Sequence, residues 1–137
     1  MIQFINDGVD APNINKDKVS QWVKTVAHSY NKKVGNISYI FCTDNKILEI
    51  NQQYLKHDYF TDIITFEYNI AKVIAGDIFI SLDTVKSNSE EFSTDYHTEL
   101  HRIIIHGILH LCGQNDKTPE LRAEMTLKEN KALSLFF

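Results

Sequence analysis

The chain has 137 residues, 43% of them hydrophobic and 23% charged, the size and make-up of a single soluble domain (1–137) with one core. No apolar run approaches a membrane span, and the N-terminal stretch lacks the basic flank and cleavage site of a secretory signal, so a cytoplasmic protein with no membrane role is expected. A net charge of −4 argues against broad phosphate neutralisation, so any nucleic-acid contact is confined to a local positive region.

Residues 2–5 alternate loosely as an opening or edge strand before the Asn6-Asp7-Gly8 turn signal. Asn15 is a candidate cap for a helix whose apolar positions are Val19, Trp22, Val23, Val26, Ala27 and Tyr30. In that stripe Trp22 reads as a core anchor, and His28 falls outside it, on the surface. Residues 31–35 end the helix, and the β-formers of 36–42 make a strand. Thr43 and Asp44 cap a short helix through Leu55, with Ile47, Ile50 and Tyr54 on one face. A loop at 56–60 leads to a strand at 62–66, which pairs as a hairpin with a second strand in 73–82. Within that second strand Asp77 reads as a structural residue. Residues 83–93 are polar and helical, Asp95 caps a helix over 96–112, and Thr118-Pro119-Glu120 opens a last helix with Leu121, Met125, Leu127 and Leu133 as its apolar residues. This order implies an α+β domain: a small mixed sheet of about four strands packed against helices, with 96–112 as the central, metal-binding helix.

That helix carries the chemistry. His106 and His110 are four residues apart and project from one face, one turn above the other. Gly113 sits where a helix ends in a left-handed residue, and Asp116, three residues on, brings a carboxylate beside the two imidazoles. Two nitrogens and an oxygen suit a divalent metal with an open position, zinc by default. The helix contains its own comparison. His97 and His101 are also four apart, but at about 100° per residue they lie nearly opposite, and no glycine turn or carboxylate follows them. Glu99 and Arg102 share the face of His106 and His110, forming a polar stripe that is costly to bury without partners. Arg102 is a candidate for stabilising phosphate charge and for a salt bridge with Glu99, two compatible roles.

Zinc-helix proteases use His-Glu-x-x-His, with the glutamate as general base. Here that position is Gly107, so the base is missing and phosphodiester chemistry is favoured over peptide chemistry. Near the site, Lys56, Arg102, Lys117 and Arg122 are the candidate cations, with Lys32, Lys33 and Lys46 further away. Cys42 and Cys112 have no Cys-x-x-Cys spacing and read as buried free thiols; Cys112 points away from a metal at His110.

His106-Gly-Ile-Leu-His110-Leu-Cys-Gly113-Gln-Asn-Asp116 resembles the signature His-Gly-x-Leu-His-Leu-x-Gly-Tyr-Asp-His of the bacterial YbeY-type endoribonucleases. Asp116 stands where that family has its last histidine. A second block, Asn51-Gln-Gln-Tyr54-Leu55-Lys-His57-Asp58-Tyr-Phe-Thr61-Asp62-Ile-Ile-Thr-Phe66, and a third, Gly76-Asp77-Ile78, resemble further family blocks in the expected order. The resemblance implies a metal-dependent, single-strand-specific endoribonuclease acting in ribosomal RNA maturation and quality control, with precursor ribosomal RNA as substrate and ribosomal proteins or assembly factors as further partners. The family associates the arginine after the tyrosine with activity, and here that position is Leu55. His57 is the candidate replacement, as an imidazolium holding phosphate or as a general base; the alternative is an exposed loop histidine. Other readings kept open are a metal-stabilised ribosome-assembly factor with little catalysis, a metalloprotease-like hydrolase, and a metal-free domain binding an anion at the same histidines.

Overall fold

A computed structural model describes residues 1–55 and 61–137; Lys56, His57 and Asp58 lie outside the described residues, as does the side chain of Leu55. Strand β1 (Ile2–Asn6) is followed by helix α1 (Lys16–Ser29), β2 (Lys33–Cys42) and the short α2 (Asp44–Ile50), which runs into a π-helical turn at Asn51–Leu55. Then come β3 (Ile63–Glu67), β4 (Val73–Ser81), α3 (Leu82–Glu91), α4 (Tyr96–Leu111) and α5 (Pro119–Phe136). The sheet order is β1-β2-β4-β3, with β1, β2 and β4 parallel and β3 antiparallel to β4, the expected mixed sheet in an α+β arrangement.

Local sequence explains the boundaries. Asn15, Thr43, Asp95 and Thr118 each accept a hydrogen bond from a backbone N–H in the first turn of the helix they precede, at 3.0–3.2 Å. Helices α1, α3 and α4 end the same way. Asn31, Ser93 and Gly113 have positive φ, and paired hydrogen bonds close each turn, as in Asn31 N to the His28 carbonyl and Lys32 N to the Ala27 carbonyl.

The core lies between one face of the sheet and helices α1, α4 and α5. Ile37, Tyr39 and Phe41 of β2 and Ile74, Ile78 and Ile80 of β4 alternate onto this face and meet Ile104, Ile105, Ile108 and Leu109 of α4. Each such buried side chain contributes about 1.5–3 kcal/mol. Trp22 is 5% exposed, and its indole N–H donates to the Ala132 carbonyl at 2.8 Å, tying α1 to α5. The Tyr39 hydroxyl donates to the Ile104 carbonyl at 2.9 Å, tying β2 to α4. A smaller cluster of Cys42, Ile47, Ile50 and Ile64 packs α2 against the sheet. Two residues expected on apolar faces are exposed: Tyr54, beyond Ile47 and Ile50, at 62%, and Leu127 of α5 at 69%. Leu127 follows Met125 by about 200° around the helix, so the two cannot share a face. Among the described residues no helix is long and apolar enough to cross a membrane.

Candidate active site

Helix α4 is buried along most of its length, yet His106 and His110 emerge from it beside β3. What lets the helix lie so close to the sheet is Gly107. A Cβ there would sit 3.1 Å from Ile78 Cδ1 and 3.2 Å from Ile63 Cδ1. The position that bears the catalytic glutamate in zinc-helix proteases therefore faces an apolar sheet rather than the site.

At the end of α4, Gly113 has φ +103°, a conformation other residues adopt only with strain. Gly113 N and Gln114 N donate to the carbonyls of His110 and Leu109, both at 3.0 Å, and the chain reverses. Asp116 returns to His106, with Oδ2 3.5 Å from Nε2. His106, His110 and Asp116 line one cavity of about 500 Å³, faced by Thr61, Asp62, Ile63 and Thr65. So the three residues predicted as ligands are brought to one cavity. Among the described residues, however, no three His, Cys, Asp or Glu side chains converge closely enough to hold an ion as they stand.

The other ring nitrogen of His106 finds Glu129 on α5: Nδ1–H donates to Oε2 at 2.7 Å. Glu129 Oε1 in turn accepts from Arg102 Nη1 at 3.0 Å, while Arg102 Nη2 donates to Asn130 at 2.8 Å. The polar stripe on α4 is partnered across the helix interface. This corrects the expected Arg102–Glu99 salt bridge: Glu99, 8% exposed, instead accepts from the Thr94 hydroxyl at 3.4 Å. Arg102 does not line the cavity. Burial disfavours the His106 imidazolium, but the hydrogen bond and charge of Glu129, with Asp116 and Asp62, outweigh it and hold the pKa above the ordinary histidine value. The Asp62 carboxyl is pushed up by burial, with His106 partly offsetting the shift.

Glu129 and Asp62 are the site residues that sequence reasoning missed. Glu129 did leave a signal. It falls among Met125, Ala132, Leu133 and Phe136 on the buried side of α5, where a carboxylate is costly unless partnered. Asp62 lies inside one of the quoted motif blocks.

The second histidine pair has a different fate. His101 is 4% exposed, its Nδ1–H donates to the His97 carbonyl at 2.6 Å, and its ring lies 4.5 Å from that of Phe136. It is a packed core residue, as its position opposite His106 required. Lys117 and Arg122 are exposed and do not line the cavity. Asp77 accepts from the Tyr68 hydroxyl at 3.3 Å, in keeping with a structural part. Both cysteines are free thiols; burial raises that of Cys42 to about 12 and that of Cys112 to about 11, so neither is a ready thiolate.

Comparisons with known proteins cover almost the whole chain. Residues 4–136 match the family model described as Endoribonuclease YbeY. A protein of that name from Phocaeicola vulgatus is 59% identical over 135 residues, covering 98% of both chains. One from Parabacteroides distasonis is also 59% identical, covering 98% of this chain and 94% of its own length. One from Porphyromonas gingivalis is 51% identical, covering 96% and 87%. A solution structure of a Thermotoga maritima protein superposes with a TM-score of 0.67 at 23% identity, covering 98% of this chain and 90% of that one, a likeness of fold.

Proposed function

Because this chain belongs to the endoribonuclease YbeY family, we propose that it is a metal-dependent endoribonuclease that cuts single-stranded segments of ribosomal RNA precursors in the cytoplasm. The observation that carries the metal reading is the two-ended engagement of His106. Its Nδ1–H is fixed by the Glu129 carboxylate at 2.7 Å, which leaves the Nε2 lone pair directed to the cavity and Asp116. A carboxylate behind a histidine in this way is the usual support of a metal ligand, setting its tautomer and raising its basicity. The donor set fits a divalent ion, and His106, His110 and Asp116 are the residues that would hold it, with zinc as the default. When bound, such an ion supplies Lewis acidity toward a phosphoryl oxygen and toward water.

The chain's own groups do the rest. Glu129 fixes His106, and Arg102 holds Glu129, which makes Arg102 a positioning residue in place of the direct phosphate contact expected of it. Thr61 and Thr65 offer hydroxyls to a phosphate in the cavity, with the Asp62 carboxyl beside them. His57 keeps its proposed part, binding phosphate or accepting a proton. A carboxylate replacing a third imidazole lowers the site's net charge by one unit, so phosphate binding rests more heavily on these neighbours. Ribosomal proteins or assembly factors would then deliver the RNA. The alternative of an assembly factor with little catalysis predicts apolar side chains over the open position. Six of the seven described residues lining the cavity are polar or charged, which supports an enzyme.

The test is elemental analysis of the purified protein and of Asp116→Ala, followed by cleavage of single-stranded RNA with and without chelator. About one equivalent of metal, lost or much weakened in the variant, with chelator-sensitive cleavage, is the expected result. Full retention in Asp116→Ala would reject that ligand. Metal retention without cleavage would favour the assembly factor, and no metal in either protein would undercut the enzyme reading.

A further inference from the structure

We infer that the chain carries an RNA-contact surface outside the catalytic cavity: a positive cleft of Lys24, His28, Lys32 and Lys33 that holds the phosphate backbone of a strand extending from the site of cleavage. The inference rests on the endoribonuclease reading.

The cleft follows from the way α1 ends. Lys24 and His28 are one turn apart on its exposed face. Asn31, at φ 60°, reverses the chain and brings Lys32 and Lys33 round to the same side as β2 begins. The four side chains, with Thr25 and Val34, line a concavity of about 730 Å³, and none of the described residues lining it is acidic. None of the three lysines forms an ion pair with a described residue, whereas Lys46 is paired with Asp7 and Arg102 with Glu129. A chain with eighteen acidic and fourteen basic residues thus gathers three lysines around one hollow. Gathering like charges costs repulsion, which a polyanion relieves.

The cleft is also connected to the cavity. Tyr30, between His28 and Lys32, has the Lys128 ammonium 5.0 Å from its ring centre. Lys128 donates to Gln114 Oε1 at 2.6 Å, and Gln114 belongs to the turn that carries Asp116. Tyr30, Leu109, Cys112, Gln114 and Lys128 line one small hollow at the end of α4. Glu124 borders this path, accepting from Gln114 Nε2 at 3.4 Å. These contacts join the end of α1, which bears the cleft, to the turn that carries Asp116. That continuity favours RNA over an acidic protein as the occupant.

The experiment compares the native protein with two triple variants, Lys24→Gln/Lys32→Gln/Lys33→Gln and the same positions changed to Glu, on single strands of about twenty and about four nucleotides. On the long strand KM should rise about tenfold in the Gln variant and further in the Glu variant, with kcat unchanged. The slope of log KM against log salt should flatten by about 2, three charges at about 0.7 each. Cleavage of the short strand should not change. Native KM and salt slope in the variants would overturn the inference, as would equal losses on both lengths. So would loss of binding to poly-glutamate with RNA unaffected, which would reassign the cleft to an acidic protein. If the native protein cuts neither strand, the endoribonuclease reading has failed. The cleft is then judged by binding of an uncleavable 2′-O-methyl strand, which supports it if lost in the variants and overturns it if not.

Discussion

Glu129 and His106, on different helices and 23 residues apart, meet at 2.7 Å, and the same carboxylate takes Arg102 at 3.0 Å through its other oxygen. The last helix therefore does more than close the core, because it orients a candidate ligand on α4. Glu129→Gln keeps the volume but replaces the carboxylate by an amide, weakening the bond to Nδ1–H and the pairing with Arg102. Metal affinity should fall about 10–100-fold. Stability should fall by about 1–3 kcal/mol, because the pair is largely buried. Competition with a chromophoric chelator and urea unfolding read the two separately; unchanged metal affinity would remove Glu129 from the site.

Much of this architecture is written locally. The caps Asn15, Thr43, Asp95 and Thr118 act within one helical turn, so their residue type is enough to place a helix start. The stripe of Val19, Trp22, Val23 and Val26 is likewise a one-helix pattern. His106, His110 and Asp116 fall within eleven residues joined by a single turn, and they line one cavity. What could not be read is non-local. Whether Arg102 takes Glu99 or Glu129 depends on the packing of α5 against α4, which no spacing within α4 encodes. Asp62 reaches the cavity only because β3 lies at the sheet edge next to α4. The sheet order likewise depends on parallel pairing across crossovers, and a strand does not announce its neighbour.

Gly107 shows how two magnitudes decide a substitution. Gly107→Ala gains about 1 kcal/mol of helix propensity but brings a Cβ within 3.1–3.2 Å of Ile78 and Ile63. Crowding of that size costs about 1–3 kcal/mol, so the net change should be a loss of about 0–2 kcal/mol. Gly107→Glu, which restores the protease motif in sequence, drives a carboxylate into the apolar interface between α4 and β4. It should lose more than about 4 kcal/mol and acquire no peptidase activity. Denaturant midpoints for the two variants decide this, and a stable, peptidase-active Gly107→Glu would overturn the placement.

At Gly113 the cost is conformational alone, because a Cβ there would meet nothing within 4 Å, while φ is +103°. Gly113→Ala should cost about 1–2 kcal/mol. Asp116 hangs from the same turn, so metal binding should weaken together with stability, whereas Lys117→Ala just beyond should change neither. Equal metal affinity in Gly113→Ala would mean that the turn does not place Asp116.

His101 gives a pH dependence that can be isolated. Its pKa is lowered from 6.5, chiefly by burial, with the positive neighbours His97 and Lys18 adding to the effect and the bond to the His97 carbonyl opposing it. The unfolded chain therefore takes a proton at this residue at higher pH than the folded chain does. Stability from keeping His101 neutral is complete above about pH 6.5 and is lost as pH falls through that value toward the lowered folded pKa. His106 works in the opposite sense in metal-free protein. Its folded pKa is raised, so its contribution is present below the unfolded value and is lost as pH rises through the folded one. The two effects overlap, and the native profile alone does not separate them. His101→Phe does, since it removes one titration while filling a site already lined by the rings of Trp22, Phe136 and Phe137. Metal-free native protein should lose more stability than His101→Phe between about pH 8 and about pH 5, in urea midpoints measured side by side. Parallel profiles would show that His101 takes up its proton in the folded protein as readily as in the unfolded chain, and that burial does not hold it neutral.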